Sequence, residues 1–240
     1  MEKDTLYSLP LDKVGDFRFD AQVVGVFPDM IGRSVPGYGS ILSMIGELTE
    51  RYSRADTNLY DLGCSLGACS LVMRERAPQD CLLYSIDSSP AMLDGLAAKV
   101  VPGDGRCEMH LRLQDIRETP IENASLSVLN FTLQFIAQSE REALLRRIAE
   151  GTLPGGALVL SEKVCFPDPG HQRLLTELHH SFKKANGYSE LEIAQKRTAL
   201  ENTLIPETLE THLERLREVG FSQALCWFQC FNFVSILAVK

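Results

Sequence analysis

The chain has 240 residues, 45% of them apolar, and a formal net charge of −8. This length fits one large domain with a full core. The excess of acidic residues argues against a surface that binds nucleic acid tightly, because contacts to phosphates need a basic face. The first ten residues hold no apolar signal core and no run is long enough to span a membrane, so we expect a cytoplasmic protein.

Residues 1–35 are expected to be irregular, because Pro28 and Pro36 interrupt them. An apolar period of helical spacing follows directly and predicts a helix. We interpret the whole segment 1–55 as a lid and helix segment that lies over the mouth of a binding site.

From residue 57 onward, strand and helix patterns alternate. Strands are predicted over 57–61, 81–87, 107–113, 127–130 and 157–161, with helices over 66–76, from Pro90 and over 139–150, and a turn at 153–156. Ser139 and Glu142 have the spacing of a capping box at the start of the last of these helices. The rhythm predicts a doubly wound, mostly parallel sheet.

The alternation stops at residues 167–206, which we interpret as a helical insertion. It contains two predicted helices, 171–185 and 188–201, and the chain then closes with helix 207–219 and strands 222–229 and 232–239. The short link between the last two strands predicts an antiparallel hairpin. The prediction is one Rossmann-like α/β domain over 1–240 with seven strands.

Seven cysteines are scattered without a Cys-x-x-Cys pair, and we interpret them as small buried apolar residues in a reducing compartment. His179 and His180 are adjacent, so on a helix they point to different sides, and we expect a surface or interface role for them. No metal site is expected.

Residues 60–67, YDLGCSLG, join an acidic strand end to a glycine turn and a helix start. Gly63 and Gly67 are four apart, and Ser65 stands where a dinucleotide fingerprint has its middle glycine. The motif therefore favours an adenosine compound without phosphates, held by a turn lined with backbone N–H groups. A turn that serves only strand-to-helix packing is the alternative.

Polar residues also follow the other predicted strands, at the edge where open α/β sheets bind ligands. Asp87 suits two ribose hydroxyls, with helix capping as the alternative. Asp115 suits the adenine amine and the N–H of Ile116 a ring nitrogen, while Asn130 can reach an amino-acid group. Tyr38, between two glycines, lies either on the ligand or in the core. Together these positions predict an S-adenosylmethionine site of the class I methyltransferase type.

Several longer runs carry a specific resemblance: residues 27–31, 33–38, 61–67, 130–135, 179–202 and 227–233. Over essentially its whole length the chain resembles the carboxy-S-adenosyl-L-methionine synthases. The resemblance implies a cytoplasmic homodimer that converts S-adenosyl-L-methionine and prephenate to carboxy-S-adenosyl-L-methionine and phenylpyruvate without a metal. It also implies a functional link to a tRNA carboxymethyltransferase that forms uridine 5-oxyacetic acid at the wobble position.

The resemblance assigns the ligand residues as well. They are Tyr38, Gly63, Cys64, Ser65, Asp87, Ser88, Asp115, Ile116, Asn130 and Arg197. Members of the family often have Asn where this chain has Ser88, so the backbone contact is expected there rather than the side-chain contact.

Arg197 is the residue to which the resemblance gives a catalytic role. Its guanidinium fits the new carboxylate beside the sulfonium, whereas charge pattern alone would favour a solvated helix face. In a dimer we expect Arg197 to complete the neighbouring site. Arg33, Arg197 and His179 are the candidates for holding the carboxylates of prephenate.

Two other functions stay open at this point. One is an ordinary S-adenosylmethionine-dependent methyltransferase acting on tRNA or a small acid, and the other is a non-catalytic adenosylmethionine-binding partner of the next enzyme. A bound compound heavier than S-adenosylmethionine by one carboxylate would favour the synthase over the first. Product formation from prephenate would exclude the second.

Overall fold

A computed structural model of the protein describes residues 2–101, 103 and 105–240. Its strands are β1 Asn58–Leu62, β2 Leu82–Asp87, β3 Glu108–Leu113, β4 Ala124–Asn130, β5 Thr152–Lys163, β6 Gln223–Cys230 and β7 Phe233–Val239. They form one sheet in the order β3-β2-β1-β4-β5-β7-β6. The first five strands are parallel, and β7 runs antiparallel to both of its neighbours. The predicted sheet and its terminal hairpin are confirmed.

Helices cover both faces of the sheet. They are α1 Ala21–Ser34, α2 Tyr38–Tyr52, α3 Ala68–Arg76, α4 Pro90–Ala97, α5 Gln138–Gly151, α6 Pro169–Ala185, α7 Glu190–Leu200 and α8 Leu209–Glu218. The predicted insertion corresponds to α6 and α7. In the part of the chain described, no helix is both long and apolar enough to cross a membrane.

The central strands are buried on both faces, as a doubly wound sheet requires. Every residue of β4 before Asn130 is buried. One face packs on Leu145 and Ile148 of α5, and the other on Ile41 and Ile45 of α2. The rigid carboxyl edge between these two layers carries the site described below.

The expectation of an irregular segment before residue 35 is wrong for Ala21–Ser34, which is helix α1. Asp20 caps it by accepting hydrogen bonds from the N–H groups of Gln22 and Val23. Pro28 lies inside the helix and removes one backbone donor. Val23, Val26 and Met30 are buried in an apolar cluster with Leu66 and Met92, and this burial outweighs the lost hydrogen bond. Tertiary packing therefore overrides the helix-breaking tendency of the proline.

Two smaller predictions also fail. The expected capping box of α5 does not form, because the helix starts one residue earlier with Ala137 at its cap and Glu142 pairs with Arg146 instead. Residues 153–156, predicted as a turn, lie within β5. They form a bulge there, since Thr152 pairs with Ala124 while Ala157 pairs with Leu126.

The segment before α1 is fastened to the insertion. The side-chain oxygen of Gln195 on α7 accepts a hydrogen bond from the N–H of Leu11 at 2.8 Å, and its amide donates to the carbonyl oxygens of Tyr7 and Leu9. The N–H of Phe17 donates to the carbonyl of Ala199 at 2.9 Å. These contacts place Phe17 against the cavity described next. A role of the segment as a lid stays a prediction.

Candidate functional site

A cavity of about 850 Å³ opens at the carboxyl edge of the parallel strands. Nine of the ten predicted ligand residues line it: Tyr38, Gly63, Cys64, Ser65, Asp87, Ser88, Asp115, Ile116 and Asn130. The tenth, Arg197, is exposed on α7 and does not line the cavity of its own chain. The structure thus brings nine residues together, while their binding of a ligand stays a prediction.

The glycine turn after β1 needs its glycines for space as well as for backbone conformation. Gly63 has φ +81°, and a Cβ there would lie 2.4 Å from the Cγ2 atom of Thr132. Gly67 has φ +78°, and a Cβ there would lie 2.2 Å from a methyl group of Leu96. Side chains at these two positions would push the turn out of the place that holds it at the cavity wall.

The expectation that N–H groups of the turn face a ligand is wrong for three of them. The N–H groups of Gly63 and Cys64 donate to the carbonyl of Ile86 at 2.8 and 2.9 Å. The N–H of Ser65 donates to Asp87 Oδ2 at 2.8 Å. The neighbouring strand therefore takes up these donors, and the turn is held rigidly instead of waiting for an anion.

Asp87 ends β2 and connects the turn to the next helix. Its Oδ1 accepts a hydrogen bond from the N–H of Ser89, the cap of α4, at 2.8 Å, so part of the alternative capping role is real. Burial raises the pKa of this carboxyl, while hydrogen bonds from the backbone of Ser89, Ser65 and Ser88 oppose the rise. A carboxylate has about four lone-pair sites, so acceptor capacity remains for two ribose hydroxyls.

Asp115 and Ile116 form the cavity wall beyond β3. The guanidinium of Arg117 donates to both carboxylate oxygens of Asp115, with Nη2 to Oδ2 at 2.6 Å. These hydrogen bonds lower the pKa of Asp115. Arg117 also pairs with Glu140 on α5, which anchors the loop to the helix layer. The carboxylate is thus held ionised and in a fixed orientation.

Asn130, at the end of β4, carries a buried side-chain oxygen with no hydrogen-bond partner among the described residues. A buried acceptor without a donor is costly, and a ligand ammonium would satisfy it. The ring of Tyr38, at the start of α2, lies 6.4 Å from that of Phe131, the residue after Asn130. Burial raises the pKa of Tyr38 well above its usual value, so its hydroxyl stays protonated.

Asp61 is buried in the cavity wall and accepts a hydrogen bond from the hydroxyl of Ser70 on α3. Burial raises the pKa of Asp61 to about 6 against the effect of that bond. Ser70 in turn accepts from the hydroxyl of Ser85 on β2 at 2.7 Å. This chain of bonds ties β1, α3 and β2 together directly beneath the turn.

Four lysines that the sequence did not predict line the cavity: Lys99, Lys163, Lys183 and Lys196. Lys99 donates to the carbonyl of Leu66 at 3.0 Å, beside the glycine turn. Lys163 ends β5, so the rule of polar residues at strand ends could have found it. Lys183 lies four residues after His179 on α6, a spacing that puts both on one helix face. No pattern marked Lys196 as the buried member of the pair 196–197.

His179 is buried, with 3% of its surface exposed, so the expected surface or interface role is wrong. Its Nε2 lies 2.8 Å from the carbonyl oxygen of Ser34, which requires the proton on Nε2. Burial, together with Lys183, lowers its pKa to about 3. The ring is therefore neutral and supplies no charge to an anion.

Arg33 is also committed elsewhere. Its guanidinium donates to Asp29 Oδ2 at 2.6 Å and to the carbonyl of Asp4, and it lies over the ring of Tyr188. It does not line the cavity. Arg33 is thus not placed to hold a carboxylate of a second ligand. His179 does line the cavity, but its neutral ring offers no positive charge for that role.

The seven cysteines are free thiols, four of them buried and three half-buried. Burial raises the pKa of Cys64 in the glycine turn above its usual range, so this thiol is not activated as a nucleophile. Within the described residues, no group of three or more His, Cys, Asp or Glu side chains is arranged to hold a metal ion.

Comparison with known proteins identifies relatives over the full length of the chain. It is 55% identical to the carboxy-S-adenosyl-L-methionine synthase of Geobacter metallireducens, covering 99% of this chain and 98% of that protein. Proteins of the same name from Aliivibrio fischeri and Vibrio cholerae are 50% and 51% identical, again over 99% of this chain and 98% and 97% of theirs.

A family model described as a methyltransferase domain matches residues 59–156. An O-methyltransferase family protein of Burkholderia thailandensis is similar in structure, with a TM-score of 0.62, 18% identity and coverage of 92% of this chain and 60% of that one. The magnesium protoporphyrin IX methyltransferase of Synechocystis, solved with bound S-adenosylmethionine, aligns with a TM-score of 0.57 at 16% identity, covering 85% and 80%. These two likenesses show the fold.

Proposed function

This chain belongs to the carboxy-S-adenosyl-L-methionine synthase family, and from that premise we propose that it makes carboxy-S-adenosyl-L-methionine and phenylpyruvate from S-adenosyl-L-methionine and prephenate. The proposal is supported above all by nine predicted ligand residues that line one cavity. The chain that places them there is at least 50% identical to enzymes of that name over 99% of its length.

The order of the strands gives the order of the ligand's parts. Asp115 follows β3, Asp87 ends β2, the glycine turn follows β1 and Asn130 ends β4, in the spatial order of the sheet. Adjacent strands are about 4.8 Å apart, so these groups span the length of an adenosylmethionine molecule. Adenine at Asp115, ribose at Asp87 and the amino-acid ammonium at Asn130 follow from the donors and acceptors available.

The reaction moves one carboxylate and releases one water. Loss of carbon dioxide and hydroxide from prephenate aromatises its ring and leaves phenylpyruvate. Hydroxide takes a proton from the S-methyl group, which is acidic beside the sulfonium, and the electron pair left on that carbon forms the new bond to carbon dioxide. The chain's task is positioning and exclusion of water, for which Tyr38, Phe131 and Phe233 supply aromatic walls.

A homodimer with a shared site is part of the proposal. Arg197 is exposed on α7, and the insertion also exposes Leu174, Leu178 and Leu191. Leu174 and Leu178 are one helical turn apart, so they form an apolar stripe on α6 that fits a second copy of the chain. We propose that Arg197 reaches the partner's cavity and binds the added carboxylate with its planar fork of donors.

Cytoplasmic action and a link to tRNA modification complete the proposal. The product is a carboxymethyl donor, which a tRNA carboxymethyltransferase would use on a hydroxylated wobble uridine to form uridine 5-oxyacetic acid. The net charge of −8 fits an enzyme that handles only the small molecule and leaves the tRNA to its partner.

Turnover tests the activity directly. Purified protein incubated with S-adenosylmethionine and prephenate is expected to yield phenylpyruvate and, by mass spectrometry, an adenosyl compound heavier by one carboxylate. Formation of S-adenosylhomocysteine on a methyl acceptor, with no carboxylated product, would identify a methyltransferase instead. Tight binding of both compounds without product would identify a binding protein.

A pair of inactive variants tests the shared site. Asp87→Ala removes the ribose carboxylate, and Arg197→Ala removes the cation. If Arg197 acts in the partner's site, coexpression of the two variants gives mixed dimers with one intact site each, and about a quarter of wild-type activity returns. If Arg197 acted in its own subunit, no mixed dimer would contain an intact site and the activity would stay at background.

A further inference from the structure

The cavity continues past Asn130 to the neighbouring strand, where its chemistry changes. Lys163 ends β5, and Asn130 pairs with Ser161 of that strand, two residues before Lys163. Lys183 of α6 and Lys196 of α7 also line the cavity, and Lys183 is close enough to both Lys163 and Lys196 for their charges to act on it. The end of the site farthest from the predicted adenine position is thus surrounded by three ammonium groups.

Two of these lysines lack an anionic partner among the described residues. Lys196 donates to the hydroxyl of Ser34 at 3.1 Å and lies 3.7 Å from Asp4 Oδ2. Lys183 is only 8% exposed, and the charges that act on it come from Lys196, Lys163 and Arg197, all of them cations. Lys163 has no charged partner either.

Burial of an unpaired ammonium is expensive, and the cost shows in the pKa values. Burial and the three neighbouring cations lower the pKa of Lys183 to about 7. Burial lowers that of Lys163 as well. The other titratable groups around them are His179, which is neutral, and His180, whose pKa is also lowered by burial and by Lys183. A protein core rarely keeps such a cluster unless a ligand supplies the missing negative charge.

We propose that Lys183 and Lys163 bind the two carboxylates of a dianionic co-substrate, next to the amino-acid end of the adenosyl ligand. The inference rests on the proposed function, which calls for prephenate, a dicarboxylate, and assigns it a place that no residue had filled. It replaces Arg33 and His179 as the candidates for that role. Arg197 is left for the carboxylate after its transfer.

Binding without turnover tests the assignment. S-Adenosylhomocysteine lacks the reacting methyl group, so its complex with the enzyme can be titrated with prephenate by calorimetry. Lys183→Met and Lys163→Met are each expected to weaken prephenate binding on the order of 30-fold or more, because each leaves one carboxylate buried and unpaired. Affinity for S-adenosylhomocysteine should change less than about threefold, which also shows that the variants are folded.

Lys184→Met is the matched control. Lys184 is the next residue of the same helix, but it is exposed and pairs with Glu190. The Lys184→Met substitution removes the same positive charge from the protein. If only Lys183→Met loses affinity for prephenate, the effect arises in the cavity and not from the change in net charge.

Proton uptake supplies a second measurement. At pH 8, Lys183 of the free enzyme is largely neutral, since its pKa is about 7, and a bound dianion favours the charged form. Titrations in buffers of different ionisation enthalpy should show wild type taking up protons on prephenate binding, and Lys183→Met taking up fewer.

Failure of the lysine assignment and failure of the proposed function give different results. If wild type converts prephenate and Lys183→Met binds it equally well, the assignment is overturned and the function stands. If wild type neither binds nor converts prephenate, the proposed function is wrong. The same titration with malonate, another dicarboxylate, then tests whether the lysines bind carboxylates. Malonate binding that is lost in Lys183→Met supports them, and absent or unchanged binding overturns them.

Discussion

The two ends of the cavity are built on opposite electrostatic plans. At the proposed adenosine end, Asp87 and Asp115 are carboxylates whose oxygens already accept hydrogen bonds from Ser65, Ser89 and Arg117. At the other end, Lys183 and Lys163 are cations without an anionic partner among the described residues. The first end is fixed before a ligand arrives, whereas the second is under electrostatic strain that an anion relieves.

The two ends are therefore expected to play different parts, one in affinity and the other in specificity. A carboxylate that is already held by hydrogen bonds loses little conformational entropy when a ligand binds. The proposed adenosine end should therefore contribute affinity. Unpaired buried cations penalise every ligand that fails to neutralise them. The lysine end should therefore select for negative charge more strongly than for shape.

Removing Asp87 is expected to have the largest effect. Asp87→Ala deletes the proposed ribose acceptor and also frees the N–H groups of Ser65 and Ser89, so affinity for S-adenosylhomocysteine should fall about 100-fold or more. Calorimetry measures the loss. Asp87→Asn keeps the shape and one acceptor and should bind with intermediate affinity. Wild-type affinity in Asp87→Ala would show that the adenosine end is not where the ligand lies.

Gly63→Ala tests the rigidity of the adenosine end. Its Cβ would meet Thr132 at 2.4 Å in addition to the strained positive φ, so we expect a loss of about 2–3 kcal/mol in unfolding free energy together with weaker nucleoside binding. Gly155→Ala is the control, because Gly155 also has positive φ but nothing lies within 4 Å of its added Cβ. It should cost about 1 kcal/mol and leave binding unchanged. Equal effects at both sites would argue against close packing in the turn.

Lys183→Met tests the strain at the other end. Below pH 7 the lysine is protonated in both folded and unfolded chains, so the folded state bears the full cost of the buried charge. As pH rises from about 7 toward 10.5, the folded form becomes neutral while the unfolded chain keeps its proton, so wild type gains stability relative to the variant. Without ligand, we expect the variant to be more stable by about 2 kcal/mol at pH 6, with a smaller difference at pH 9.

Denaturant unfolding at one protein concentration checks this pH dependence. The concentration is held constant because a dimer's stability depends on it. A variant that is less stable than wild type at pH 6 would mean that Lys183 has a partner that stabilises its charge, and the comparison between the two ends would fail.

The smallest expected effect lies outside the cavity, at Glu207. Burial raises the pKa of this carboxyl, but hydrogen bonds from Arg215 and Arg141 outweigh it and lower the pKa to about 2. The stability that this shift contributes is present above the unfolded pKa of 4.5 and is lost as pH falls toward 2. Glu207→Gln should therefore reduce stability at pH 6 by about 1–2 kcal/mol and narrow its difference from wild type at pH 3. An unchanged difference at pH 3 would contradict the pairing.

Residues of the site could be predicted from the sequence where their positions follow from neighbouring residues in the chain. The glycine turn, Asp87 and Asp115 lie at strand ends that hydrophobic patterns identify, and the parallel sheet then places them on one edge. The sequence does not reveal helix α1, because Pro28 is a local signal against a helix, whereas the burial of Val23, Val26 and Met30 depends on tertiary packing. The hydrogen bonds from the N–H groups of Gly63 and Cys64 to the carbonyl of Ile86 could not be predicted, because they depend on how the neighbouring strand is placed.

Strand periodicity and turn chemistry are local properties, so the sequence alone predicts the parallel sheet, its terminal hairpin and the placement of nine predicted ligand residues along one cavity. Which charged side chains line the cavity depends on how the helices pack, and the sequence does not show that. Lys196 and Arg197 are adjacent, yet the packing of α7 buries one and exposes the other. Lys163 and Lys183 line the same cavity because α6 packs His179 against Phe233, the residue that pairs with Lys163 in the sheet. The sequence does not show whether a charged side chain is buried, and the proposed role of these lysines depends on their burial.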